Sequence, residues 1–154
     1  MQPDNSVSLL FILLIVMAFP LIFIPFWCFV VWLLSRLGGW GRLASFYRAV
    51  EPFTGQTWTW RGGRLGFVNY RSVLTLGADP AGLYLAVMPL FRVGHAPLWI
   101  PWSEIEVVER DGILGLYMGF RFAQAPDVVL YLLPNLGGRL LAVRDVHRVS
   151  ADAR

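Results

Sequence analysis

The hydrophobic pattern changes period three times along the chain. Residues 7–34 (VSLLFILLIVMAFPLIFIPFWCFVVWLL) are apolar on every face and carry no charge. A spanning helix needs about 20 apolar residues, so this run predicts a single tilted transmembrane helix. Pro20 and Pro25 lie inside it. Each lacks an N–H and disturbs the turn before it, so the expected form is a kinked span, with a half-embedded hairpin as the rival. The hairpin's arms, residues 7–18 and 21–34, would each be about 18–21 Å long, too short to cross twice. A cleaved signal peptide fits poorly. No Lys or Arg precedes the run, the run is too long, and no small-residue cleavage site follows.

Residues 35–52 (SRLGGWGRLASFYRAVEP) mix Gly, aromatic residues and Arg. Leu43, Phe46, Tyr47 and Val50 recur at helical spacing. They predict a short amphipathic helix, lying either on the membrane surface or against the domain behind it. From Thr57 the period becomes two. TWTWR sets Trp58 and Trp60 on one face, and runs at 64–70, 72–78, 82–88, 98–100 and 104–110 read as strands. ADPAG at 78–82 is a turn between two of them, and Asp111–Gly112 marks another. DVVLYLL (127–133) is apolar on both faces, as a central strand would be. Turns every eight to twelve residues suit a sandwich or barrel. From Pro134 the helical period returns, with Leu136, Leu140, Val143 and His147 on one face and Asp145 able to pair with Arg148. The expected layout is a transmembrane anchor (1–35), a basic and aromatic juxtamembrane segment (36–56), and a β domain with a C-terminal helix (57–154).

Charge sharpens this layout. All thirteen basic residues are Arg. Residues 36–71 hold six of them against Glu51 alone, whereas residues 72–154 are slightly acidic. Only Asp4 precedes the apolar run, while Arg36, Arg42 and Arg48 follow it, so the positive-inside tendency places the C-terminal domain in the cytoplasm and the N-terminus outside. Arg36, Arg42, Arg48, Arg61 and Arg64, with Trp40, are candidate contacts to anionic headgroups or a partner, since each basic residue near such a surface contributes about 1 kcal/mol. Sparse charge on an otherwise acidic domain argues against nucleic acid.

Candidate chemistry is thin. The only cysteine, Cys28, lies in the apolar run, which leaves no disulfide within the chain. His95 and His147 are too far apart for a metal site. HAPLWIPWSEI (95–105) gathers His95, Ser103 and Glu104, but its period reads as a loop, a strand at 98–100, a bend at Pro101 and a second strand entered at 103–105. Trp99 and Trp102 then fall on opposite strand faces, so either is a candidate anchor for lipid or partner. No P-loop is present, because GGWG (38–41) lacks the following Lys-Ser/Thr. The expectation is a chain that is not an enzyme, with no cofactor and no small-molecule substrate.

One long anchor, about seven short antiparallel strands and a closing helix form a pattern that resembles the pleckstrin-homology (PH-like) superfold, with its GRAM and bacterial branches. The stretch GLYLAVMPLFRVGHAPLWIPWSEI (82–105) is similar to a Gly-Leu strand, hairpin and Ile-Pro-Trp-Ser-x-Ile step found in membrane-attached bacterial members. The resemblance implies a mainly-β barrel closed by a C-terminal helix, at a bacterial inner membrane. It further implies an interaction or adaptor module that binds a protein partner or membrane lipids. The alternative is an accessory subunit packed against other integral membrane subunits. Phosphoinositide-binding members carry a Lys/Arg cluster in the first hairpin loop. RGGR (61–64) is the nearest match here, with two charges and no Lys.

Overall fold

A computed structural model describes the backbone of residues 5–112 and 115–152, and side chains over 8–108 and 117–145. The side chains of Glu109, Asp111, His147 and Arg148 lie outside the described residues.

The first helix, α1 (Asn5–Leu37), runs unbroken through Pro20 and Pro25. At 1.5 Å per residue its 33 residues extend about 50 Å. The hairpin rival is therefore not what forms: each Pro costs a backbone bond, and the Leu-, Ile- and Phe-rich turns around it sustain the helix. Ser8–Leu37 is long and apolar enough to cross a membrane.

A glycine ends α1. The N–H of Gly38 donates to Leu34 O at 2.8 Å and that of Gly39 to Arg36 O at 3.3 Å. Gly39 has φ +81°, and a Cβ there would meet Val128 Cγ2 at 2.6 Å. The position demands glycine for conformation and for space. The chain then enters α2 (Trp40–Tyr47) at once.

Seven strands follow: β1 (Gln56–Leu65), β2 (Val68–Ala78), β3 (Gly82–Val87), β4 (Leu98–Pro101), β5 (Ile105–Gly112), β6 (Gly115–Phe122) and β7 (Ala125–Leu132). They form one antiparallel sheet in the order β4-β3-β2-β1-β7-β6-β5. The expected barrel closure is not seen: among the described residues no pairing joins β4 to β5. Pro101 ends β4, and a 3₁₀ turn over Trp102–Glu104 carries the chain away before β5 begins. β7 lies between β1 and β6, so its central place is as expected, but only one face, Val128, Leu130 and Leu132, is buried, while Val129 and Tyr131 on the other are half-buried.

Two strand expectations are corrected. The run 64–70 is not one strand, because the β1–β2 turn falls at Gly66–Phe67 inside it. Gly66 has φ +54°, and its backbone packs so closely on the α1–α2 turn that a Cβ would lie 2.8 Å from Gly38 O. Trp58 and Trp60 do not share a face either. A bulge between Trp58 and Arg61 resets the alternation, leaving Trp60 at φ +57° and exposed while Trp58 packs on the core.

Helix α3 (Pro134–Asp152) lies against β2 and β6. Leu140 is fully buried, and Leu136 and Val143 pack on the core beside it. The same core holds Trp40, Leu43 and Tyr47 from α2. It therefore extends across the boundary expected at residue 56: of the apolar residues expected on the juxtamembrane helix, Leu43 and Tyr47 are packed into the β domain, whereas Phe46 and Val50 are exposed.

Candidate functional site

The junction between the apolar helix and the sheet is where the chain concentrates its specific polar contacts. Along α1, residues 8–26 are exposed to their surroundings, with Pro20 alone half-buried. From Trp27 the helix begins to pack: Trp27 and Cys28 are half-buried, and Val31 and Ser35 are buried. The surface it meets is the β3–β4 connection. Trp27 Nε1 donates to Leu90 O at 3.2 Å, and its ring lies 5.4 Å from that of Phe91. Ser35 Oγ donates to Gly94 O.

One turn further on, the contacts become a buried aromatic node. Trp40 Nε1 donates to Ala96 O at 2.8 Å, and its ring meets His95 edge-on at 5.0 Å and Tyr70 at 5.7 Å. His95 is buried, with Nδ1 3.1 Å from Val93 O and Nε2 2.9 Å from Tyr70 Oη. A carbonyl only accepts, so Nδ1 carries the proton and Nε2 accepts from the tyrosine hydroxyl. Burial pushes His95 below its ordinary pKa and Tyr70 above its own, so the pair stays neutral. His95 is thus a packing element joining α2, β2 and the β3–β4 loop. Glu104 has a different partner. It accepts from Tyr47 Oη at 2.6 Å, and that oxygen accepts from Gln124 N at 3.1 Å, which ties α2 to the β6–β7 turn. Tyr47 is raised above the ordinary tyrosine pKa, by burial first and by Glu104 second.

The eight candidate contact residues do not form one patch. Trp40 is not at a surface at all; it is fully buried, because its indole fills the space between α2 and the sheet. Arg36 is exposed at the end of α1, its guanidinium carbon 5.3 Å from the centroid of the Trp32 ring. Arg42 pairs with Asp127 of β7. Arg61 and Arg64 lie within β1 rather than in the hairpin loop, and Arg64 Nε donates to Gly66 O at 3.1 Å. The basic first-hairpin-loop arrangement is therefore absent, because the turn comes two residues after Arg64. Trp99 and Trp102 are both half-buried and converge on one turn: Trp99 Nε1 donates to Asp79 Oδ2 at 3.2 Å and Trp102 Nε1 to Asp79 O at 2.8 Å. The 3₁₀ turn after Pro101 swings Trp102 back, which strand alternation did not allow for.

Arg48 and Trp99 do meet, in an open cleft of about 460 Å³ that Glu51, Phe53, Asp79 and Tyr84 also line. Phe53 stacks on Tyr84 with centroids 4.6 Å apart. Asp79 already accepts from the N–H groups of Ala81 and Gly82, both at 2.7 Å, as well as from Trp99. The cleft offers one cation, Arg48, and two carboxylates, Glu51 and Asp79, and no His or Cys lines it. Among the described residues no three His, Cys, Asp or Glu side chains converge on a metal position.

Sequence reasoning missed Trp27, Ser35, Tyr70 and the 88–97 loop as a unit. The one signal available was Ser35, a hydroxyl at the end of an uncharged run. No protein-family model matches this chain, and neither the curated proteins nor the solved structures include a match to it.

Proposed function

We propose that this chain is a single-pass membrane-anchored interaction module of the PH-like kind, with its domain on the cytoplasmic face of a bacterial inner membrane. It binds a protein partner or the membrane surface and carries out no reaction of its own. One observation supports this most: the inner end of α1 is hydrogen-bonded to the β3–β4 loop, and Trp40, Leu43 and Tyr47 of α2 are built into the core of the β domain. A domain on a loose tether only needs to stay near a membrane. A domain packed onto its anchor has a fixed orientation, which matters for presenting one face. Seven antiparallel strands, β1–β4 and β5–β7 as two meanders, followed by a terminal helix are also the element order that the PH-like resemblance implies.

A second reading, an accessory subunit of a larger membrane complex, draws on residues 8–26 of α1, whose exposed surface suits other spans as well as lipid. Purification of the full chain in mild detergent, with identification of co-purifying chains, separates the two. Substoichiometric, salt-sensitive partners are expected for an adaptor. A stoichiometric, salt-resistant complex would favour the subunit. Release of the chain from membranes by alkaline carbonate would overturn both.

A further inference from the structure

We infer that the β3–β4 loop, residues 88–94 (MPLFRVG), is a membrane wedge that inserts its apolar tip into the bilayer beside the chain's own span. The inference deepens the anchored reading above and rests on α1 crossing the membrane.

Depth comes first. Trp27, which the loop touches through Leu90 and Phe91, precedes the first charge of the helix, Arg36, by nine residues. That is about 13 Å along the axis. Residues 8–26, free of protein contact, amount to about 28 Å of helix, close to the roughly 30 Å of a hydrocarbon core. If that free segment fills the core, Trp27 marks its inner boundary, where tryptophan is favoured. If Arg36 instead sits among the headgroups, Trp27 lies deeper still. Both placements bring Leu90 to the hydrocarbon boundary or beyond it.

The loop's chemistry suits that depth. Leu90 is 63% exposed and Val93 39% exposed, although both are apolar. No acidic residue occurs between Asp79 and Glu104, and Arg92 has a long stem that can bring its charge up to phosphates. A loop entering a membrane must satisfy its backbone internally. Pro89 has no N–H. The N–H of Met88 donates to Val73 O, that of Phe91 to Met88 O, that of Arg92 to Pro89 O and that of His95 to Arg92 O, at 2.9–3.2 Å, while Leu90 O accepts from Trp27. The tip is thus apolar apart from Arg92, with most of its carbonyls paired and the N–H groups of Leu90, Val93 and Gly94 left open, and it is fixed to the span at Trp27 and Ser35.

The test uses the full chain with Cys28→Ala, carrying one cysteine at a time labelled with an environment-sensitive fluorophore. The sites are Leu90→Cys in the loop, Phe19→Cys in the free part of α1, and Ala81→Cys in the turn at the far end of β3. Each variant is reconstituted into phosphatidylcholine vesicles with or without brominated acyl chains. Strong quenching at Phe19 and Leu90, with little at Ala81, is the expected result. Quenching at Phe19 but not at Leu90 would overturn the wedge and leave the span standing. A blue-shifted but unquenched Leu90 probe would mean that protein covers the loop, which also overturns it. Equal quenching at Ala81 and Leu90 would remove the assigned depth. No quenching at Phe19 would sink the span itself, and the wedge with it.

Discussion

Residues 8–26 and residues 27–35 of α1 belong to one uncharged apolar run, yet they have opposite surroundings. The first segment is exposed along its length; the second is clamped on one face, Trp27, Val31 and Ser35, against the β3–β4 loop, while Phe29, Trp32, Leu33 and Leu34 stay exposed. Hydropathy does not separate them, because lipid and protein core are equally apolar solvents for a side chain. Polar atoms do. Ser8 is the only hydrogen-bonding side chain in 8–26, whereas 27–35 carries Trp27, Trp32 and Ser35. The indole of Trp27 and the hydroxyl of Ser35 both find carbonyls in the β3–β4 loop. Along this helix the donors of Trp27 and Ser35 mark where contact with the domain begins.

Cutting one large side chain from each region should separate them most clearly. Trp40→Ala, just beyond the clamp, removes a fully buried ring and its bond to Ala96 O. It should cost about 3–5 kcal/mol, read by thermal or denaturant unfolding of the β domain in detergent. Phe19→Ala, at a ring 63% exposed, should change the same transition by no more than about 0.5 kcal/mol. Comparable losses in the two variants would mean that the free segment is part of the fold.

Much of this architecture was legible beforehand, and its gaps have physical causes. The long helix, the strand-rich middle and the C-terminal helix follow from runs of one period, which local patterning records well. Leu140 and Val143 were legible as a core face for the same reason. What periodicity could not carry was anything made by a single irregular residue. Gly66 turns the chain inside an apolar run, and a bulge at Trp60 flips a face. The 3₁₀ turn at Trp102 sends two indoles to the same aspartate turn. The candidate site was the least legible part. Its members, Trp27, Ser35, Trp40, Tyr70 and His95, are far apart in sequence, and Trp40 and His95 resemble interfacial and catalytic residues until their burial is known.

His95 is neutral in the clamp, with its pKa lowered by burial. Between that lowered value and the ordinary 6.5, the unfolded chain binds a proton that the folded one does not. Stability should therefore hold above about pH 6.5 and fall as the pH drops below it, by at most about 1.4 kcal/mol per pH unit for one group. The loss levels off once the folded pKa is passed. His95→Gln should remove this part of the slope, whatever it does to stability at neutral pH. An unchanged slope in the variant would mean that the node does not carry the linkage.

The smallest effect expected is at the pair between Arg42 of α2 and Asp127 of β7. It too joins the clamp to the sheet, but its side chains are 54% and 63% exposed. Exposed pairs of this kind contribute between about 0 and 1 kcal/mol, and salt screens them. Arg42→Ala should therefore shift unfolding by less than about 1 kcal/mol, and the shift should shrink at high salt. If the clamp is held by buried aromatic packing, the ratio between this loss and that of Trp40→Ala should be several-fold. A loss from Arg42→Ala that rivals the tryptophan's and persists in salt would reverse the account, making surface charge rather than the buried node the element that fixes the domain on its anchor.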